Sequence, residues 1–282
     1  MQRRMSLLFM GIMIFCMSIS QIIIADVEEN DSGNEQAGAI YEWTGKAGDG
    51  NWNNPKNWKV TGSEKGWKYP NEEFKNNYTN QDCVAINIEN GDTVKAYSLA
   101  IDGKRDGSTR NVLTIANKST LKIANALYIA DYNNTNGTVN VVGGSTLEVG
   151  KLIDIGNWSG RKSKAKLNIS GAILKVVGNF NGYSVRIGVG TNSEMTVSGN
   201  STVTINGDVR ITERGYAGKL VINGGKITIG GSVILGVDTS EGKAYIYLND
   251  GELQAENLKF GTLKEAKIVF AGGKLLLNSK NI

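Results

Sequence analysis

A repeat of short apolar pairs constrains the fold of this chain more than any other feature. Each repeat contains three pairs of apolar residues, the members of a pair lying two positions apart, with a tight turn after every pair. The first pairs begin at Leu113, Val139, Leu167, Met195, Leu220, Ile246 and Ile268, in steps of 26, 28, 28, 25, 26 and 22 residues. Residues two apart share one face of a β-strand. A period in this range is typical of solenoids and is too short for a propeller blade.

Burial explains why this repeat predicts a coil of stacked strands. One turn of three short strands cannot cover its own apolar side, whereas similar turns laid on one another bury it in interior columns. Neighbouring turns then pair in parallel, and such connections are almost always right-handed. The sequence therefore predicts an all-β fold, a right-handed parallel β-helix (β-solenoid) with about three short strands per turn and about seven turns over residues 83–282. Residues 84–101 look like an earlier, less regular turn.

Small residues mark the predicted corners, and the chain has 36 Gly and only 2 Pro. The corner between first and second strands reads Asn117-Lys118, Gly143-Gly144, Gly171-Ala172, Gly199-Asn200, Gly224-Gly225, Asp250-Gly251 and Gly272-Gly273. The third strands end in Ala130, Gly156, Gly188, Thr212, Gly236 and Gly261. Gly, and less readily Asn and Asp, tolerates the positive φ of a sharp corner. A bulky side chain at the end of a third strand would block the next corner.

The first 40 residues carry the features of an exported protein. A short basic start precedes an apolar run over residues 7–24, and this pattern predicts a signal peptide at 1–25. Ser20 and Ala25 are the candidate cleavage sites. The alternative is an uncleaved anchor, because a run of this length nearly spans a bilayer. Residues 26–40 are acidic and predict a linker. The predicted localisation is secreted or at the cell surface of a bacterium, with no membrane span after signal cleavage.

Charge and cysteine content narrow the partners of the mature chain. Loss of the two basic residues in the signal would leave 29 basic groups (31 − 2) against 27 acidic ones, a net charge of +2. This near-neutral balance gives no reason to expect nucleic acid as a partner. Only Cys83 would remain, so a disulfide within the chain is excluded and the fold must depend on burial and backbone pairing.

The two ends of the predicted rod differ. Four of the five Trp, namely Trp43, Trp52, Trp58 and Trp67, fall within residues 41–82. This stretch predicts an aromatic N-terminal cap, because an exposed parallel edge invites further pairing. The alternative is a platform for sugar rings, which makes Trp52 and Trp67 candidate ligand-binding residues. At the other end, residues 275–277 form an apolar second strand with no cap after it. This edge predicts end-to-end self-association or continuation in a longer protein.

One outward column offers candidate site residues. The middle position of the third strand reads Tyr128, Asp154, Arg186, Arg210, Ile234 and Lys259 in successive turns. Stacking at about 4.8 Å would place Asp154 beside Arg186 and Arg186 beside Arg210. Together with Lys259, these residues predict a site for an acidic glycan. The predicted partner is an extracellular polysaccharide or the surface matrix. The alternative is a solvated face on which an exposed ion pair contributes about 0–1 kcal/mol.

No catalytic residue, metal site or cofactor is predicted. The chain has no His, so it lacks the usual general base at neutral pH and the commonest transition-metal ligand. Outward acids are scattered over different columns and turns: Glu148, Asp154, Glu194, Asp208, Glu213 and Asp238. Enzymes that cut polysaccharides on this scaffold need two or three clustered carboxylates. The sequence therefore predicts a structural or adhesive module without catalytic activity. The alternatives are a lyase or hydrolase of acidic glycans, or a glycan-binding module, on the same scaffold.

One motif resembles a known group of proteins. It reads Trp43-x-Gly45-x-x-Gly48-Asp49-Gly50-x-Trp52, followed by Asn57-Trp58. It resembles the start of bacterial exported β-solenoid surface proteins of the autotransporter-associated β-strand repeat and PEP-CTERM-type group. The resemblance implies a pectate-lyase-like right-handed β-helix, a surface location and an adhesive or matrix role. No catalytic residues of that group map onto this sequence.

Overall fold

The computed structural model describes residues 40–61, 79–80, 85–89, 91–102, 111–131, 134–156, 163–189, 192–213, 216–237 and 241–278. All of them lie within one compact unit. The predicted signal peptide, the linker up to residue 39, Trp67 and Cys83 lie outside these residues. Within the described ranges, no helix has the length and apolar character needed to cross a membrane.

The N-terminal segment contains an antiparallel pair of strands. Strand β1 (Ile40–Trp43) pairs antiparallel with β2 (Trp58–Thr61), and a 3-10 helix (Pro55–Asn57) leads directly into β2. The intervening loop also reaches the first turn of the solenoid, because the backbone N–H of Trp52 donates to Asn87 O at 3.1 Å.

The remaining strands form three stacked columns, as the repeat predicts. The first column contains β4 (Ala85–Ile88), β7 (Asn111–Ile115), β10 (Asn136–Val142), β13 (Lys164–Ser170), β16 (Asn192–Ser198), β19 (Ala217–Ile229), β21 (Lys243–Ala255) and β23 (Glu265–Phe270). The second contains β5 (Thr93–Ala96), β8 (Thr120–Ile123), β11 (Thr146–Val149), β14 (Ile173–Val176), β17 (Thr202–Ile205), the second halves of β19 and β21, and β24 (Lys274–Leu277). The third contains β3 (Thr79–Asn80), β6 (Leu99–Asp102), β9 (Ala126–Ile129), β12 (Leu152–Ile155), β15 (Tyr183–Ile187), β18 (Asp208–Glu213), β20 (Ser232–Val237) and β22 (Asn257–Phe260).

Parallel pairing between successive turns confirms the solenoid. Six regular turns occupy the region from Asn111 to Phe260. The earlier turn expected at 84–101 is present, since β4, β5 and β6 pair in parallel with β7, β8 and β9. The last predicted turn contributes β23 and β24 to the described residues. The fold is therefore a parallel β-solenoid.

The interior is a continuous stack of aliphatic side chains. In the second column Leu121, Leu147 and Leu174 are in register and fully buried. Burying one such side chain stabilises the fold by about 1.5–3 kcal/mol relative to leaving it exposed. Because each turn supplies the cover for its neighbours, this burial holds the rod together.

Two corners differ from the sequence prediction. The chain was expected to turn between separate strands at Gly224-Gly225 and at Asp250-Gly251, but β19 and β21 each run through the corner as a 13-residue strand. Their pairing continues past the corner with shifts in register. Gly224 and Gly225 have φ of 138° and 79°, so the bend is made by residues that adopt positive φ without strain.

The small residues that end the third strands have a conformational role as well as a steric one. Gly188 has φ of 82°, and the same corner is made with positive φ by Ala130 (56°) and Thr212 (69°) in other turns. A Cβ on Gly188 would also lie 2.8 Å from Gly218 Cα. The corner therefore requires both a left-handed backbone and a close approach to the next turn.

The last described turn is much more exposed than the others. Phe260 and Phe270 are 59% and 56% exposed, and Leu276 and Leu277 are also exposed. Leu275 points toward the core but is only partly buried. Within the described residues β22, β23 and β24 pair on one side only, so this edge presents strand backbone together with apolar side chains.

Candidate functional site

The register of the third column brings three predicted site residues together. Asp154 pairs with Arg186, and Arg186 pairs with Arg210, on the outer face of β12, β15 and β18. We call these three residues the charged ladder. Their neighbours in each strand point inward, so the ladder lies outside the main core.

The Asp154–Arg186 pair is buried and closely bonded. Arg186 Nε donates to Asp154 Oδ1 at 2.7 Å, and Arg186 Nη2 donates to Asp154 Oδ2. Asp154 has no exposed surface and Arg186 is 8% exposed. The alternative of a solvated ion pair is therefore wrong for these residues. Two parallel bonds from one guanidinium fix the geometry of both side chains.

Two further groups complete the surroundings of Arg186. Arg186 Nη1 lies 3.8 Å from Glu213 Oε2, so one guanidinium faces carboxylates from two different turns. Both arginines also pack over the ring of Tyr183, with the guanidinium carbons of Arg186 and Arg210 at 5.0 and 4.2 Å from its centroid. Carboxylates and the aromatic face offset the repulsion between the adjacent arginines.

A local insertion positions Tyr183. The first inward residue of β15, Val185, comes nine positions after the last inward residue of β14, Val176. In the preceding turn Ile153 comes four positions after Val149, so the insertion is five residues (9 − 4). The inserted chain doubles back through two backbone bonds between Phe180 and Tyr183, of 2.8 and 3.1 Å. It places Tyr183 in a small apolar cluster on the outer surface with Ala126, Leu152 and Tyr128.

Burial and pairing act on the protonation of the ladder in opposite directions. Burial raises the pKa of the Asp154 carboxyl, and the hydrogen bonds and positive charge of Arg186 oppose that rise. Burial also disfavours the charged form of Arg186, but bonding to Asp154 outweighs it and raises the pKa of Arg186. The bonds to Asp154 thus keep the Arg186 guanidinium in its charged form.

The other predicted site residues do not join this cluster. Lys259 is exposed and lies two strands from Arg210 in the same column, with Ile234 between them. Trp52 is fully buried, so its ring has no accessible face for a sugar and its predicted ligand-binding role is wrong. Trp67 lies outside the described residues, and its predicted role remains a prediction.

The buried tryptophans explain the motif at the N-terminal end. Trp58 packs edge-on against Trp43 and Trp52, at 4.8 and 4.9 Å between ring centroids, and its Nε1–H donates to Trp52 O at 2.7 Å. All three belong to the same core as the first solenoid turn.

Asp49 organises the loop that carries these rings. Its carboxylate accepts hydrogen bonds from the side-chain amides of Asn54 and Asn57, both at 2.6 Å, and from Asn51 N at 3.0 Å. These bonds lower the pKa of Asp49. The motif therefore has a structural explanation in the loop itself.

Sequence reasoning found the ladder but missed its partners. Glu213 was counted among scattered acids, yet it shares Arg186 with Asp154. Tyr183 was not singled out, although the five-residue insertion before it was visible in the sequence. Among the described residues, no group of three or more His, Cys, Asp or Glu side chains is placed to hold a metal ion.

Comparisons with protein-family models, with curated proteins and with solved structures found no match to this chain.

Proposed function

We propose that this chain is an exported β-solenoid that acts as a structural or adhesive module at the bacterial cell surface or in the extracellular matrix. The observation that carries the proposal is that the one carboxylate of the charged ladder is buried in an ion pair. Asp154 is buried and bound by Arg186, which also faces Glu213. Arg210, which is partly exposed, lies over the ring of Tyr183, and no carboxylate of the charged ladder is free to act as an acid or base on a substrate.

Two sequence features support export. The motif from Trp43 to Trp58 resembles the start of exported surface proteins of the autotransporter-associated β-strand repeat and PEP-CTERM-type group. The basic and apolar start of the chain has the character of a signal peptide. Fractionation of bacteria that express the full chain with a C-terminal tag tests this part. We expect a shortened product outside the cytoplasm, and a full-length cytoplasmic product would contradict it.

The stacked turns suit a polymeric partner. Outward side chains recur at about 4.8 Å along the rod, so successive turns offer regularly spaced contacts. An extracellular polysaccharide or surface matrix is therefore the proposed partner. A second copy of the chain, bound through the exposed edge of β22–β24, is a proposed means of assembly.

The experiment that tests the proposal measures binding and cleavage together. The purified chain is incubated with neutral and uronic-acid polysaccharides, and bound polymer, new reducing ends and unsaturated products are followed. We expect binding without product release. Product release that heat denaturation abolishes would overturn the non-catalytic proposal and favour a polysaccharide lyase or hydrolase.

A further inference from the structure

A pair of neighbouring tyrosine rings lies on the outer face of the first column, away from the charged ladder. Tyr245 and Tyr247 alternate along β21 with buried Ala244, Ile246 and Leu248, so both rings point outward. Their centroids are 6.2 Å apart and their planes are tilted by 31°. We call this pair of partly exposed rings the tyrosine shelf.

A contact with the next turn holds one of the rings in place. Tyr245 Oη lies 3.0 Å from Glu265 Oε2, and that carboxylate is also 3.6 Å from Lys243 Nζ. A phenolic hydrogen bond is made at the edge of the ring and does not occupy its face. The ring of Tyr245 is therefore held in place before any ligand binds, which reduces the entropy lost on binding.

Lysines flank the shelf on both sides. The register places Lys219 beside Tyr245 on one turn and Lys267 beside it on the other, each about 4.8 Å away along the rod. Neither forms a salt bridge within the described part of the chain, and Lys267 is exposed. With Lys243 and Glu265, the groups around Tyr245 carry three positive charges against one negative charge. Glu194, the nearest other acid in this column, lies beyond Lys219.

This combination selects a chemical class of ligand. Aromatic faces pack against the C–H faces of pyranose rings, and ammonium groups bind carboxylate or sulfate oxygens through charge-assisted hydrogen bonds. We propose that Tyr245, Tyr247, Lys219 and Lys267 form a binding site for an anionic polysaccharide, with uronate or sulfated units over the rings. The inference rests on the proposed adhesive function and assigns a site and a ligand class to it.

The test uses the full mature chain and three polymers: polygalacturonate, dextran sulfate and neutral dextran. We expect binding to one or both anionic polymers, weakening as salt screens the lysines. The double variant Tyr245→Ala/Tyr247→Ala should lower affinity about tenfold or more. Tyr247→Phe keeps the ring and should stay within about twofold of the parent. Circular dichroism checks that each variant keeps the parent fold.

A matched pair separates a specific site from general charge. Lys219→Gln/Lys267→Gln should weaken binding and flatten its salt dependence, whereas Lys122→Gln/Lys175→Gln makes the same charge change on the second column and should leave affinity unchanged. The site would be overturned, while the adhesive function stands, by either of two results. One is an equal loss of affinity in both lysine pairs, and the other is an affinity for the anionic polymers that the shelf variants do not change. Failure to bind any polysaccharide would overturn both.

Discussion

Removing Arg186 should destabilise the rod far more than its position on an outer face suggests. Arg186→Met would delete both hydrogen bonds to Asp154, which has no exposed surface. Breaking a buried pair by removing one partner costs about 3–5 kcal/mol, because the remaining charge is left without compensation. Asp154→Leu should cost a similar amount, since Glu213 at 3.8 Å is then the only carboxylate of the described residues within 4 Å of the Arg186 guanidinium.

The double variant provides the critical comparison. If the two residues acted independently, Asp154→Leu/Arg186→Met would cost about 6–10 kcal/mol, the sum of the single changes. We expect it to cost less than either single change, because apolar side chains of similar volume can replace the Asp154–Arg186 pair and only Glu213 then loses its contact with Arg186. Urea unfolding followed by circular dichroism measures each free energy of unfolding. Lys175→Met, at an exposed outward position, is the control and should change stability by about 0.5 kcal/mol or less.

Two outcomes would refute this reasoning. Single variants that cost less than about 1 kcal/mol would mean that the pair behaves as an exposed one. A double variant that costs as much as the sum of the singles would mean that each side chain contributes through contacts other than the pair. Repeat proteins can unfold in more than one step, so coincidence of the circular dichroism and fluorescence transitions must be checked first.

Three further predictions concern the corners and the two ends. Gly150→Ala, at the corner between β11 and β12, should lower the free energy of unfolding by about 1–3 kcal/mol, near the upper end of this range, because the new Cβ would lie 1.8 Å from Ala124 O. Urea unfolding measures the change, and a value near zero would contradict the close packing of this corner. Asp49→Asn should remove the part of the N-terminal loop's stability that depends on the ionised carboxylate of Asp49. The parent's contribution is present above the ordinary carboxyl pKa and is lost as pH falls through the lowered pKa, and Trp fluorescence in a pH titration should show this in the parent alone. Leu276→Lys should shift a concentration-dependent association of the parent toward monomer in analytical ultracentrifugation, and a parent that is monomeric at all concentrations would contradict pairing through this edge.

The period of the apolar pairs was sufficient to predict the fold. Each inward residue of the second column, such as Leu147, could be aligned with its neighbours because a two-residue alternation and a repeated corner fix the register. The same alignment placed Asp154 beside Arg186 correctly. The packing of Arg186 over the ring of Tyr183 could not be predicted, because it depends on how an insertion folds back on the outer surface.

The role of Trp52 shows the opposite difficulty. Its type and spacing suit either a cap or a sugar platform, and the sequence left both open. The choice depends on whether the loop folds over the first turn. Hydrogen bonds to the Asn87 backbone and to the Asp49 carboxylate hold the loop in that position. Contacts between distant segments of this kind have no periodic signature.

The inward columns are alike from turn to turn, whereas the outward columns are not, and this asymmetry has a consequence for how such a chain can change in length. Deletion of residues 136–163 would bring Leu113 next to Leu167 and keep an aliphatic interior. It would also replace Asp154 by Tyr128 as the neighbour of Arg186. The solenoid can therefore gain or lose a whole turn and keep an aliphatic interior. The neighbours of each outward side chain, in contrast, depend on the order in which the turns are stacked.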